Sequence, residues 1–212
     1  MTLNLGAELA AARLLAVIRS ADAASAIATG TALLEEGVRL VEVALTTPDA
    51  VRAIEALRAV APAGALVGAG TVLTAADVAE VTAAGAQYVV TPAVVESIAE
   101  AARRGIPVAA GAFTPTEAYA AMRMGASAIK LFPVSVGGPA YLRAVRDPFP
   151  DIPFVAVGGV GLDDVPGYLR AGAIAVGVGG PLVGDTASGG DLAALRVRAR
   201  TYLAAVRESA AA

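Results

Sequence analysis

Short apolar runs recur along the chain and are separated by alanine-rich segments. The runs cover residues 14–19, 40–45, 65–70, 87–92, 106–111, 128–133, 154–159 and 173–179. Their centres lie about 19 to 26 residues apart, an interval that fits one strand, a helix of three turns and two short loops. The pattern therefore predicts eight strands that alternate with eight helices.

Glycine and threonine mark the ends of the predicted helices. Many alanine-rich segments end in a glycine one to three residues before the next apolar run, at Gly37, Gly85, Gly105, Gly125 and Gly172. Glycine just past a helix adopts the left-handed conformation that caps its carbonyl end. Helix starts are predicted at Thr47, Thr74, Thr114 and near Asp163, because short polar side chains cap free backbone N–H groups.

Regular alternation over the whole length favours a (β/α)8 TIM barrel over an open doubly wound sheet. The interval stays regular and the composition does not change along the chain, so residues 1–212 are predicted to form a single domain. Residues 3–13 read as an extra N-terminal helix that closes the bottom of the barrel.

Composition narrows the function classes. Hydrophobic residues make up 57% and aromatic residues 4%, which suits parallel strands buried on both faces and packed with small aliphatic side chains. The net charge is -3 without a basic cluster, so neither nucleic acid nor an anionic membrane is an expected partner. No apolar stretch approaches the roughly 20 residues of a membrane span, and no basic segment precedes an apolar one as in a signal peptide. A cytoplasmic location is the expectation.

The chain contains neither histidine nor cysteine. Histidine is the usual general base near neutral pH and the commonest metal ligand. Acid–base chemistry must therefore use carboxylates, a lysine, a tyrosine or bound water. No paired acids follow the predicted strands, so neither a metal nor another cofactor is expected, although carboxylates alone can hold Mg²⁺.

Lys130 is the only lysine, against 15 arginines. It lies inside the apolar run AIKLFP, where a desolvated amine can lose its proton and attack a carbonyl carbon, which a guanidinium cannot do. Glu42 lies inside the run LVEVAL, and a buried carboxylate is unfavourable unless it is paired or functional. The two are predicted to meet across the barrel lumen as nucleophile and proton carrier. A purely structural ion pair is the alternative reading.

Other candidate residues cluster where predicted strands end, which is the face of such barrels that carries active sites. Glycines after strands seven and eight commonly bind phosphate through backbone N–H groups, although tight turns explain each glycine pair equally well. The residues concerned are Arg19, Thr71, Thr91, Pro92, Gly158, Gly159, Gly179 and Gly180.

The chain resembles the aldolases for 2-keto-3-deoxy-6-phosphogluconate (KDPG) and 4-hydroxy-2-oxoglutarate (KHG) from about Leu14 to Leu182. The resemblance rests on the motifs VEVALTTP, VGAGTVL, AGAQYVVTP, IKLFPV, GGPAYLRAVRDPFP and VGGV. It implies a homotrimer and a Schiff-base lyase of carbohydrate metabolism, of the Entner–Doudoroff type, acting on a small 2-oxo acid.

The resemblance also implies roles for particular residues. Lys130 matches the Schiff-base lysine and Glu42 the general acid–base glutamate. Thr71, with the backbone near Gly70, would hold the pyruvyl carboxylate. Arg19 and the glycines Gly158, Gly159, Gly179 and Gly180 match the phosphate site, and Pro92 and Val157 would also contact substrate.

Three positions depart from the KDPG pattern. Thr46 stands where that branch has an arginine, which removes a bidentate partner for the carboxylate. Val157 replaces a threonine, and Pro181 replaces a serine that often follows the strand-eight glycines. The related phosphogalactonate aldolases usually carry the valine and lack the arginine.

The predicted activity is cleavage of KDPG to pyruvate and glyceraldehyde 3-phosphate, of KHG to pyruvate and glyoxylate, or of both. The alternative is cleavage of 2-keto-3-deoxy-6-phosphogalactonate. Hypotheses of other classes are a phosphate-binding isomerase or synthase barrel, a pyridoxal phosphate enzyme, a metal-dependent pyruvate aldolase and a catalytically silent binding barrel. The isomerase or synthase barrel gives no reason for Lys130 to be the only lysine. In a pyridoxal phosphate enzyme that lysine would hold the cofactor, but the sequence shows no partner for the pyridinium nitrogen.

Overall fold

Eight parallel strands form a closed barrel in the order of the sequence, with each strand paired to its two neighbours and β8 paired to β1. The computed structural model describes residues 3–211. The strands are β1 Leu14–Ile18, β2 Leu40–Ala44, β3 Leu66–Gly70, β4 Val89–Val90, β5 Val108–Ala112, β6 Ala128–Leu131, β7 Phe154–Val157 and β8 Ala175–Val178. The (β/α)8 prediction is confirmed.

Helices alternate with the strands around the outside of the barrel. They are α1 Leu5–Ala12, α2 Ala23–Glu35, α3 Ala50–Val60, α4 Ala75–Ala83, α5 Ser97–Arg103, α6 Pro115–Arg123, α7 Gly138–Arg146, α8 Val165–Arg170, α9 Gly180–Val183 and α10 Leu192–Ala211. Short 3₁₀ helices follow β6, β7 and α9, at Val134–Val136, Leu162–Asp164 and Gly184–Ser188. No helix in the described range 3–211 is both long and apolar enough to span a bilayer.

The predicted glycine caps are confirmed, and so are two of the predicted helix starts. Gly37, Gly85, Gly105, Gly125 and Gly172 all have φ between 73° and 99°, the left-handed conformation that an L side chain disfavours. The hydroxyls of Thr74 and Thr114 each accept a backbone N–H three residues on, and complete capping boxes with Asp77 and Glu117.

The extra N-terminal helix closes the end of the barrel from which the strands begin. Leu5 and Leu9 of α1 are buried in one cluster with Leu15, Leu40 and Leu66, which lie at or next to the first residues of β1, β2 and β3. This apolar plug seals the bottom of the lumen, so the opposite, carboxyl-terminal mouth is the open one.

Four local predictions were wrong or incomplete. Helix α3 begins at Ala50 rather than at Thr47, and Thr47 instead accepts the backbone N–H of Ser20. The predicted fourth strand, 87–92, is reduced to Val89–Val90. After β8 the chain forms α9, a 3₁₀ helix and the long α10 instead of one helix. Near Asp163 a 3₁₀ turn leads into α8.

Candidate active site

Lys130 and Glu42 meet inside the lumen near its open mouth. They belong to β6 and β2, which lie on opposite sides of the eight-stranded barrel. Lys130 Nζ is 3.8 Å from Glu42 Oε1, close enough for an ion pair and too long for a direct hydrogen bond. Lys130 is 8% exposed and Glu42 1% exposed. The predicted approach of these two side chains across the lumen is thus present.

Two glycines of β3 make room for this arrangement. A Cβ atom at Gly70 would lie 2.6 Å from Glu42 Oε1, and one at Gly68 would lie 2.4 Å from the ring of Tyr88. Neither distance is sterically possible, so any side chain at these positions would displace the carboxylate or the ring. The alternation of glycines in VGAG therefore creates space for Glu42 and for the aromatic side chain packed inside the same barrel.

Burial raises the pKa of Glu42 above its ordinary value, and the positive charges of Lys130 and Arg19 oppose that rise. Glu42 Oε2 has no hydrogen-bond partner among the described residues. Tyr88 is fully buried, and its hydroxyl donates to the Val41 carbonyl at 2.8 Å. Burial and the nearby Glu42 charge hold the pKa of Tyr88 well above its usual value. The titratable group suited to proton transfer here is the carboxyl of Glu42.

A cavity of about 260 Å³ opens above this pair at the carboxyl ends of the strands. Nearly all of the predicted site residues line it: Arg19, Thr71, Pro92, Lys130, Val157, Gly158, Gly159, Gly179 and Gly180. Glu42 does not line the cavity, because it is almost completely buried below it. Its ion-pair partner Lys130 does line the cavity. Thr91 is fully buried beside it, where its hydroxyl donates to the Ala93 carbonyl.

Thr71 has a φ of 60°, an uncommon conformation for a β-branched residue. Such a conformation is unfavourable by about 1–3 kcal/mol and persists where the surrounding fold enforces it, often at functional sites. Gly158 and Gly159 also have positive φ, at 97° and 77°. The loop after β3 therefore holds a backbone conformation that an L side chain rarely adopts, whereas the two glycines after β7 adopt theirs without strain.

The sequence reasoning missed Val17, Phe132, Val160 and Gly177, which also line the cavity. Pro181, identified above as a departure from the family pattern at the phosphate site, lines it as well. The Phe132 ring centroid is 5.5 Å from Lys130 Nζ, within the range of a cation–π contact. Strand alternation was a usable signal, because residues 130 and 132 point to the same side of an extended segment. Gly177 makes room for Val157, whose Cγ2 would lie 2.7 Å from a Cβ at that position.

A larger depression of about 680 Å³ lies outside the barrel between α3 and α4. Its charged lining residues are Asp49, Arg52, Glu55, Asp77 and Glu80. It offers no amine that could attack a carbonyl. Within residues 3–211 no group of three or more acidic side chains is arranged to hold a metal ion. The smaller cavity around Lys130 is therefore the candidate active site.

Comparison with known protein families identifies the lineage. Residues 5–196 match the family model described as KDPG and KHG aldolase, and this range covers the barrel and the whole cavity. The chain belongs to the KDPG and KHG aldolase family. The predictions of the family, and of an aldolase of the Schiff-base class, are confirmed.

Relatives in this family carry names from both substrate branches. The chain is 40% identical over 194 residues to a probable 2-dehydro-3-deoxy-6-phosphogalactonate aldolase of Rhizobium meliloti, covering 91% of this chain and 90% of that protein. It is 36% identical over 182 residues to the 2-dehydro-3-deoxy-phosphogluconate aldolase of Dickeya dadantii, covering 84% and 85%. Family membership alone therefore leaves the substrate branch open.

A solved structure in the family carries a trapped intermediate. The KDPG aldolase of Legionella pneumophila, with pyruvate captured as a covalent carbinolamine, superimposes with a TM-score of 0.81 at 29% identity, covering 94% of this chain and 96% of that one.

Proposed function

We propose that the chain cleaves a phosphorylated 2-keto-3-deoxy sugar acid to pyruvate and glyceraldehyde 3-phosphate through a Schiff base on Lys130. The single observation that carries this proposal is the position of Lys130 Nζ. The amine lies in the cavity, 3.8 Å from a buried carboxylate, on the only lysine of the chain. KHG, which would give pyruvate and glyoxylate, is a smaller substrate for the same chemistry.

The first half of the reaction forms the covalent intermediate. The Lys130 amine attacks C2 of the substrate and gives a carbinolamine. Glu42 supplies the proton with which the C2 oxygen leaves as water, and an iminium remains. The burial of Lys130 favours this step, because the iminium forms in a site that admits little bulk water.

The second half breaks the carbon–carbon bond. Glu42, directly or through water, takes the proton of the C4 hydroxyl while the C3–C4 bond breaks and the aldehyde leaves. The bonding electrons pass to the iminium and give an enamine. Protonation at C3 and hydrolysis by water then release pyruvate and restore the amine. The raised pKa of Glu42 suits a group that must both accept and donate a proton.

The substrate's phosphate would lie at the side of the cavity formed by β7, β8 and β1. These strands are neighbours in the closed barrel, and they bring Gly158, Gly159, Gly179 and Gly180 beside Arg19. A guanidinium with adjacent backbone N–H groups suits a phosphate dianion. Thr71, on the far side with β3, would contact the pyruvyl carboxylate.

The experiment that tests the proposed function is trapping with borohydride. After incubation with pyruvate and borohydride, the intact protein should gain the mass of a reduced pyruvyl group, and peptide mapping should find it on Lys130. An isomerase, a synthase or a silent binding barrel should gain nothing. A protein that stays unmodified while it still cleaves the substrate would overturn the Schiff-base mechanism.

Val157 supports a preference for the phosphogalactonate epimer. Val157 is nearly buried and lines the cavity at the end of β7, two residues beyond the register partner of Lys130. We expect kcat/KM for the galactonate-type C4 epimer to lie within about 100-fold of that for KDPG or to exceed it, because an apolar wall rejects a misplaced hydroxyl less strongly than a hydrogen-bonding site does. Kinetics with both epimers, each with and without phosphate, give the ratio.

Two further results follow from the same measurement. Val157→Thr should shift the ratio towards the gluconate epimer, with Val160→Thr, at another valine that lines the cavity, as the matched control. Pro181 cannot donate a hydrogen bond, so removing the phosphate should matter less than in a serine-bearing relative, by about 0.5–1.5 kcal/mol. A preference above about 100-fold for KDPG would contradict the epimer prediction.

The pH dependence of activity should reflect the ionisation of the buried Glu42 carboxyl. Glu42 must be ionised to take a proton, and burial raises its pKa, so activity should fall on acidification at a higher pH than an ordinary glutamate would give. Lys130, Arg19 and Tyr88 are the charged or titratable groups that face it. The measurement is the rate of deuterium exchange into the pyruvate methyl group against pH.

The variant Arg19→Gln tests the direction in which the acidic limb of the pH profile moves. Loss of a positive charge that lowers the pKa of Glu42 should move the acidic limb to still higher pH. A limb within the ordinary glutamate range in both proteins would show that another group carries the proton.

The homotrimer, the cytoplasmic location and the Entner–Doudoroff type of metabolism remain part of the proposal. They rest on the family resemblance, and sedimentation of the purified protein tests the trimer.

A further inference from the structure

Two consecutive threonines after β2 accept hydrogen bonds from two consecutive residues after β1. Arg19 Nε donates to Thr46 Oγ1 at 3.0 Å, and the backbone N–H of Ser20 donates to Thr47 Oγ1 at 3.0 Å. Since β1 and β2 are paired neighbours, with Ile18 opposite Val43, the two loops leave the barrel side by side. The contact joins adjacent loops at the mouth of the cavity.

The buried half of this contact, between Thr47 and Ser20, is held firmly in place. Thr47 is 2% exposed and Ser20 7% exposed. The Thr47 N–H donates to the carbonyl of Ala44, the last residue of β2, at 2.9 Å, and the Thr47 carbonyl accepts from Ala50 at the start of α3. Thr47 is thus held between a strand end and a helix start, and it fixes the backbone from which the Arg19 side chain leaves.

The Arg19 side chain is not held by surrounding residues in this way, since both Arg19 and Thr46 are exposed. A long, exposed arginine samples many rotamers, so ordering it on a ligand costs side-chain entropy. The Thr46 hydroxyl occupies only the Nε–H. The four N–H groups on the two terminal nitrogens stay available for a bidentate contact with an anion.

Arg19 also lines the cavity that holds Lys130. We propose that Thr46 is a positioning residue that aims Arg19 at the anionic end of the substrate, on the backbone base that Thr47 provides. This inference rests on the proposed function, because it needs a substrate with a distal anion. Thr46 has no other hydrogen-bond partner within the described residues that would explain a hydroxyl there.

The decisive variants differ by single atoms. Thr46→Val keeps the shape and removes the acceptor, whereas Thr46→Ser keeps the acceptor. Thr82→Val is the matched control, because Thr82 lies on α4, outside the cavity lining, and its hydroxyl donates to the Val78 carbonyl within the same helix. For the phosphorylated substrate, Thr46→Val should raise KM about 3- to 10-fold with kcat within about twofold of the parent. Thr46→Ser and Thr82→Val should match the parent.

A double-mutant cycle isolates the route of the effect. In an Arg19→Ala background, Thr46→Val should change KM by less than about 1.5-fold, because the side chain it orients is gone. Full additivity of the two changes would overturn the proposal, and so would a fall in kcat with KM unchanged in Thr46→Val.

The failure of this inference can be told apart from the failure of the proposed function. Borohydride trapping of pyruvate and deuterium exchange into its methyl group need Lys130 and Glu42 but no distal anion. Both should be the same in Thr46→Val as in the parent. If the parent neither traps nor exchanges, the proposed function fails. If it does both and Thr46→Val leaves KM unchanged, only the positioning role of Thr46 fails.

Discussion

Lys130→Arg is expected to abolish both aldol cleavage and borohydride trapping while leaving the fold intact. Arginine keeps the positive charge beside Glu42, so the ion pair inside the lumen survives in altered form. A guanidinium remains protonated at any accessible pH and cannot attack a carbonyl carbon. The measurements are turnover, the mass of the trapped protein, and circular dichroism to establish that the barrel is retained.

The sole lysine permits an unusually clean control. Arg207 is exposed on α10, far along the chain from every cavity-lining residue. Combining Lys130→Arg with Arg207→Lys restores the number of lysines but places the amine on the surface. We expect no trapping beyond that of the N-terminal amine. Robust turnover by Lys130→Arg, or recovery in the double variant, would refute a Schiff base on Lys130.

Glu42→Gln should lower kcat by about 10²- to 10⁴-fold, the range for loss of one general acid–base group. Glutamine has nearly the same shape, so it fits the space that Gly70 leaves and still packs beside Lys130. Some iminium should form slowly, because water can move the protons of that step. Single-turnover cleavage and the rate of borohydride trapping together separate carbon–carbon bond breaking from imine formation.

Glu55→Gln provides the comparison, since Glu55 is exposed on α3 and lines the outer depression instead of the cavity. It should behave as the parent. If Glu42→Gln retained near-normal kcat, another group would be moving the protons, and the buried carboxylate would be only the counter-ion of Lys130.

Much of the fold could be predicted from local pattern alone. Eight apolar runs at a regular interval require strands that are buried on both faces, and the glycine before most of them requires a helix end, because only glycine adopts the left-handed cap without strain. The same reasoning predicted that the two candidate catalytic side chains meet. A lone lysine and an acid, each inside an apolar run, are unfavourable unless they meet, and strands four apart in an eight-stranded barrel face each other. That residues 1–212 form one domain stays a prediction.

The sequence by itself thus determined the barrel and the meeting of Lys130 and Glu42 inside it, since these follow from periodicity and from the energetics of burying charge. Only the tertiary structure decided how deep Glu42 lies, why β3 alternates glycines, and that Thr47 serves the loop after β1 rather than a helix start. A threonine hydroxyl caps a helix or holds a neighbouring backbone with equal ease. Which of the two it does depends on which N–H group the closed barrel brings within about 3 Å of the hydroxyl oxygen. A local sequence pattern does not predict that distance.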